Sequence, residues 1–147
     1  MKFYQKLEQI YLKAPVNELY KPEITVTYKK AEISIKVNPQ FFHAADSLHG
    51  SVYFKMLDDA AFFAAQSVVE DVFVLTAKFD IQLLRPVTKG VLKATGMLIE
   101  DNGNKLLAKA YLYNDGVLVA KGEGIMAKSK KELNRIFTKY GLPTENT

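Results

Sequence analysis

HGSVYFKMLDDAAFFAAQ, residues 49–66, is the stretch on which the reading of the fold turns. It opens on a histidine and a glycine and is apolar almost all round, yet it carries two adjacent carboxylates, Asp58 and Asp59. The pattern predicts a helix from Gly50 to about Val69 that is buried on most sides. Strands follow. In VFVLTAKFDIQLLRP, which closes at Pro86, Phe73, Leu75, Ala77, Phe79, Ile81 and Leu83 share one face. Thr76, Lys78, Asp80 and Gln82 share the other. Residues 89–100 make a second strand, ended by the hairpin signal Asp101-Asn102-Gly103-Asn104. Residues 105–113 pair back, and Asn114-Asp115-Gly116 turns the chain into a last strand, 117–128.

Upstream, Phe3, Leu7, Ile10 and Tyr11 recur at helical spacing, so residues 2–20 read as a helix broken or kinked at Pro15. From Ile24 the period becomes two, which predicts a strand or a hairpin turning near Lys29-Lys30 and ending at Asn38-Pro39. Residues 40–49 read as a loop leading into the long helix. KSKKELNR reads as the exposed start of a short helix over about 130–140, followed by a polar tail. One buried helix followed by an antiparallel meander of about four strands gives an α+β domain. Its sheet must curl to cover the helix. The expected organisation is one domain over 1–147, with its core at about 24–128 and the short helix and tail at 129–147.

Composition narrows the function. The chain has 147 residues, enough for a real core. It has no cysteine, which excludes disulfides and thiolate zinc sites and fits the cytoplasm. No run of about 18 apolar residues is present, so no membrane partner is expected, and the N-terminus lacks the continuous apolar stretch of a secretory signal. The net charge of +4 suits an anionic, phosphate-bearing ligand. The basic residues are scattered rather than interleaved with aromatics, so no nucleic-acid partner is expected.

The two aspartates are not equivalent. At about 100° per residue, Lys55, Asp59 and Gln66 fall within about 40° of one another and form a narrow polar stripe. Lys55 and Asp59 are spaced for an i,i+4 ion pair. Asp58 points about 100° away from Asp59, and its helical neighbours are Phe54, Lys55, Ala61 and Phe62. A carboxylate beside aromatic and small apolar groups loses hydration, which raises its pKa and sharpens it as a base or nucleophile. The structural alternative is a carboxylate paired with Lys55 or with a strand residue. Gly50 sits where free N–H groups and the helix dipole favour an oxyanion. A glycine there also permits a tight turn. Gly50 and Asp58 are separated by roughly 12 Å of helix, whereas reacting groups must meet within about 3–3.5 Å. One chain is badly placed to use both on one substrate. Two chains related by a twofold axis are well placed, which predicts a homodimer.

HGSVYFKMLDDAAFFAA resembles the HGG-x6-D segment of the hotdog-fold acyl-CoA thioesterases of the PaaI-like group. The later order LLRP, glycine-containing hairpins and DGVLVAKGEGIM agrees with it, over about residues 24–128. The resemblance implies a curled antiparallel sheet wrapped around one central helix. It implies that Asp58, nine residues after His49, is the catalytic carboxylate, and that the Gly50 N–H polarises the thioester carbonyl. Ser51 stands at the family's second glycine, among the substrate-binding positions. Thr76 matches a hydroxyl residue that helps place water. An asparagine of some members corresponds to His43, and a following glycine to Asp46; both are departures. His43 can still donate to the carbonyl or hold water, while His49 fixes the helix start or a dimer contact.

The expected reaction is hydrolysis of an acyl-CoA or acyl-carrier thioester. No metal is required, and coenzyme A enters only as part of the substrate. Phe54, Phe62 and Phe63 would set the depth of the acyl pocket. Arg85, Lys89 and Lys128, near strand ends, are candidate contacts for the coenzyme's phosphates. Assembly as a homodimer, with two dimers forming a tetramer in many relatives, would cover the sheet's edge strands. Two competing readings are a hotdog hydratase or dehydratase using His43 with Asp58, and a non-catalytic acyl-CoA-binding module. Against the first, the PG-rich segment of fatty-acid dehydratases and the Asp-x5-His of hydratases are both missing. Against a transcriptional regulator, no added DNA-binding segment is present.

Overall fold

The computed structural model describes residues 1–144. Its elements run α1 (Phe3–Lys13), α2 (Asn17–Tyr20), β1 (Glu23–Thr27), β2 (Lys30–Lys36), α3 (Gly50–Gln66), β3 (Val72–Leu83), β4 (Val91–Asp101), β5 (Lys105–Asn114), β6 (Val117–Glu132) and α4 (Leu133–Lys139). The last residues of the expected polar tail, 145–147, lie outside the described residues. Pro15 separates α1 from α2, and the predicted strand at 24–37 is a hairpin with Lys29 in the left-handed region (φ 60°).

All six strands form one antiparallel sheet in the order β1-β2-β4-β5-β6-β3. The sheet wraps the long helix, and α3 touches every strand. Small residues make this possible. Ala60, Ala61, Ala64 and Ala65 are fully buried. A Cβ on Gly96 of β4 would come within 2.1 Å of the Ala60 carbonyl oxygen. Helix and sheet therefore approach backbone to backbone at that point, as close packing requires.

Three expectations need correction. First, the strands after α3 are not a simple meander. β3 pairs with β6 at the edge of the sheet, and the chain crosses over to start β4 on the far side. Strands adjacent in sequence are not adjacent here because β4, β5 and β6 are joined by two tight hairpins and fill the middle. Second, the faces of β3 are not the predicted ones. Register shifts between Val72 and Val74 and between Thr76 and Lys78 change the phase of the strand. Val74 is buried, Thr76 reaches the helix, and Leu75, predicted to point inward, is 47% exposed. Beyond the bulge Phe79 and Ile81 turn inward, with Phe79 lying over Gly122 and Gly124 of β6. Third, KSKKE is the end of β6 rather than a helix start, because β3 supplies partners as far as Glu132. Among the described residues no helix is long and apolar enough to cross a membrane.

Candidate active site

Asp58 and Asp59 have different surroundings, as the helical geometry predicts. Asp59 forms an ion pair with Lys55 and accepts a hydrogen bond from the Tyr11 hydroxyl at 2.7 Å. The Lys55 ammonium lies over the rings of Tyr11 and Tyr20, at 5.1 and 5.0 Å from their centroids. The Tyr11 phenol is pushed far above its ordinary range, first by burial and then by the Asp59 charge, so it stays protonated as a donor. The polar stripe ends there. Gln66, predicted to extend it, is fully buried and hooks the end of α3 to the chain that follows, donating to the carbonyls of Val69 and Val72 and accepting from the Val74 N–H.

Asp58 meets the other side of the fold. Its Oδ1 accepts from the Thr76 hydroxyl at 2.7 Å, and its Oδ2 has no hydrogen-bond partner among the described residues. The partner is thus a neutral strand residue rather than Lys55. Burial raises the Asp58 pKa; the Thr76 hydrogen bond opposes that rise, Asp59 adds to it, and Lys55 weakly opposes it. The bulge in β3 turns Thr76 toward the helix at this level. Thr76 also lies 3.2 Å from the Met126 sulfur.

A cavity of about 370 Å³ opens beside these groups. Asp58, Asp59, Lys55 and Thr76 share its wall with Phe62, Phe63 and Phe73. The other wall comes from Ile10, Tyr11 and Ala14 of the N-terminal region and from Ile136 and Tyr140 near the C-terminus. Sequence reasoning missed that wall. Tyr11 was read only as an apolar helix position, yet a tyrosine on a buried face needs a partner for its hydroxyl, and that need pointed toward the polar stripe of α3. Phe62 is in the chamber and packs on Phe63 and Phe73. Phe54 is not. It is 39% exposed and sits edge-on to Phe79.

The start of α3 forms a second, separate cavity, also of about 370 Å³. Gly50, His43, Tyr53, Leu83 and Arg85 line it. Gly50 is the first residue of the helix, where a backbone N–H has no partner within the helix. Its φ is not in the left-handed region, and a Cβ would make only an ordinary contact with Leu83 at 3.6 Å. The turn therefore does not require glycine, which favours a role in letting a ligand come close. His49 is the N-cap: its Nδ1 accepts from the Ser51 N–H at 3.0 Å and lies 2.8 Å from the Ser51 hydroxyl. Ser51 is thereby engaged in the cap, and neither residue lines the cavity. His43 holds its own loop together, its Nδ1 accepting from the Ala45 N–H and its Nε2 lying 2.9 Å from the Ser47 hydroxyl. Tyr53, a residue the sequence did not single out, donates to the Arg85 carbonyl at 2.7 Å and fixes the crossover after β3. Lys89 is exposed and lines neither cavity, so the structure does not bring it to Arg85.

A family model of the thioesterase superfamily matches residues 46–117, a span that contains both cavities' α3 residues and Thr76. Over that span the chain is similar to the thioesterase superfamily. Solved structures agree on the fold. The chain is similar to the Escherichia coli PaaI protein of the phenylacetic acid degradation operon, with a TM-score of 0.79, 18% identity, and coverage of 89% of this chain and 99% of that one. It is similar to a thioesterase family protein from Silicibacter pomeroyi (TM-score 0.78, 21% identity, 86% and 98% covered). A phenylacetic acid degradation-related protein from Ralstonia eutropha matches at a TM-score of 0.75 and 20% identity, with 86% and 99% covered. No curated protein matches. The hotdog fold accordingly agrees with the resemblance to PaaI-like proteins carried by the HGS-x6-D segment.

Proposed function

We propose that the protein hydrolyses acyl-CoA thioesters, or the equivalent thioesters of an acyl carrier, to a free acid and a thiol. The observation that carries this reading is Asp58: a desolvated carboxylate, held by Thr76 through one oxygen, beside an apolar chamber. In the proposed reaction Asp58 removes a proton from water as the water oxygen attacks the thioester carbon. Alternatively it attacks directly, and water opens the resulting anhydride. The carbonyl oxygen gathers negative charge and is met by the Gly50 N–H at the helix start. The carbon–sulfur bond then breaks, and the thiolate takes up a proton.

Gly50 and Asp58 line different cavities of one chain, so the proposed site needs two chains. β3 supplies the means. It is an edge strand with a free side, and it carries Thr76 near one end and Leu83, the neighbour of Gly50, at the other. Antiparallel pairing of β3 with a second β3 about a twofold axis near Phe79 and Asp80 sets Thr76 opposite the partner's Leu83. Asp58 of each chain then faces Gly50 of the other. Arg85, beside Gly50, is the candidate contact for the phosphates of coenzyme A. His43 remains a candidate for orienting water, though its ring nitrogens are engaged within its own loop, which weakens a hydratase reading.

Thiol release from short, long and aryl acyl-CoAs tests the proposal. The expected result is turnover that Asp58→Asn abolishes while acyl-CoA binding survives. Binding without turnover on any of these substrates would make the protein an acyl-ligand binder instead.

A further inference from the structure

Lys55 precedes Asp58 by three residues and Asp59 by four, so on a helix its ammonium can reach either carboxylate. It goes to Asp59. Elements outside the matched family region hold it there: α1 brings Tyr11, which donates to Asp59 and lies under the ammonium, and α2 brings Tyr20. Asn17 ties α2 to α1 by donating to the Tyr11 carbonyl at 2.7 Å. Asp58 is left with only the neutral Thr76 hydroxyl. The contrast matters because a carboxylate paired with an ammonium is a weaker base, and its lone pairs are occupied.

We infer that Asp59 is a positioning residue that draws Lys55 away from Asp58, with Tyr11 clamping the pair, so that Asp58 stays unpaired for the reaction. This rests on the reading of Asp58 as base or nucleophile. The charged or titratable groups facing Asp58 are Lys55 and Asp59 on its own helix, Tyr11 from α1 and Tyr140 beyond α4; β3 presents only Thr76. Removing the Asp59 carboxylate leaves Lys55 only the Tyr11 hydroxyl and the Tyr11 and Tyr20 rings, and Asp58 is the nearest carboxylate to replace it. Both changes lower the Asp58 pKa.

The test measures kcat, KM and the pH profile of Asp59→Asn with and without Lys55→Gln, alongside Asp58→Asn. Asp59→Asn alone should lose kcat by about tenfold or more, and its acid limb should move about one to three units to lower pH. KM should change little. Adding Lys55→Gln should recover most of the lost kcat, because the two positions are coupled through one charge. Wild-type kcat and acid limb in Asp59→Asn would overturn the inference, as would a folded double variant no faster than the single one. Should Asp59→Asn fail to fold, Tyr11→Phe takes its place: a small shift of the acid limb to lower pH supports the clamp, and an unmoved limb overturns it. Turnover that survives Asp58→Asn would instead refute the assignment of Asp58 itself.

Discussion

The start and the middle of α3 are built for opposite purposes. At the start, Gly50 offers a backbone donor in a cavity walled by the crossover after β3 and by the His43 loop. In the middle, Asp58 is a half-buried carboxylate in a cavity lined by aromatic rings, α1 and the C-terminal segment. In the proposed reaction the first stabilises negative charge and the second supplies a base. Thioester hydrolysis needs both at one carbon. A single helix holds them roughly 12 Å apart. The comparison teaches that one helix presents two separate sites, and the proposal that each is completed by a second copy of the chain follows from that separation.

Breaking the middle should cost most. Asp58→Asn is expected to lower kcat by about 10²–10⁴, as for loss of a general base, measured by thiol release at saturating substrate. Breaking the start comes next. Gly50→Pro removes the N–H and adds a ring at the point where a ligand would approach, yet the backbone suits it: proline is favoured at the first helical position, and His49 already has the extended backbone that precedes proline (φ −65°, ψ 142°). The expected loss is about 10²–10³ in kcat with an unchanged melting temperature. Thr76→Val sharpens the contrast at smaller cost. Losing a hydrogen bond to a charged group is worth about 1.5–3 kcal/mol, so kcat should fall roughly ten- to a hundredfold. The Thr76 bond holds the Asp58 pKa down, so its removal lets that pKa rise. Because the ionised form reacts, the acid limb of the profile should move to higher pH.

The smallest effect is on stability. Folding raises the Asp58 pKa, so the folded state holds that proton more tightly than the unfolded chain. The resulting stabilisation is present below the ordinary carboxylate range and is lost as pH rises through the folded pKa. At neutral pH the ionised Asp58 is a cost. Asp58→Asn should therefore melt slightly above the wild type at neutral pH, with the difference closing below about pH 4. Thermal denaturation across that range checks the sign.

The long helix, its apolar burial and the distinct surroundings of Asp58 and Asp59 were legible in residues 49–66, because helical geometry fixes which side chains are neighbours. The two hairpins that join β4, β5 and β6 were legible from Asn102-Gly103 and Asp115-Gly116, since Gly103, Asp115 and Gly116 take left-handed turn conformations that select such residues. The phase of β3 was not. A bulge leaves no mark in a hydrophobic alternation, and strict alternation put Leu75 on the inner face and Thr76 on the outer, the reverse of what is observed. The resemblance to PaaI-like proteins pointed to Thr76, which the structure sets against Asp58, where periodicity did not. The wall of the chamber from Tyr11, Ile136 and Tyr140 was hidden for another reason: contacts between distant chain segments depend on topology, and the sequence read the terminal elements in isolation.

The central claim is that each site is shared between two chains, and complementation tests it most directly. Asp58→Asn and Gly50→Pro chains are each mixed alone, then unfolded and refolded together, and thiol release is measured. A shared site predicts that the separate variants are inactive while the mixture recovers about a quarter of wild-type activity, since half the dimers would hold one intact site of two. A mixture as inactive as its components, with mixed dimers demonstrably formed, would place Gly50 and Asp58 in the same chain's site and contradict the account.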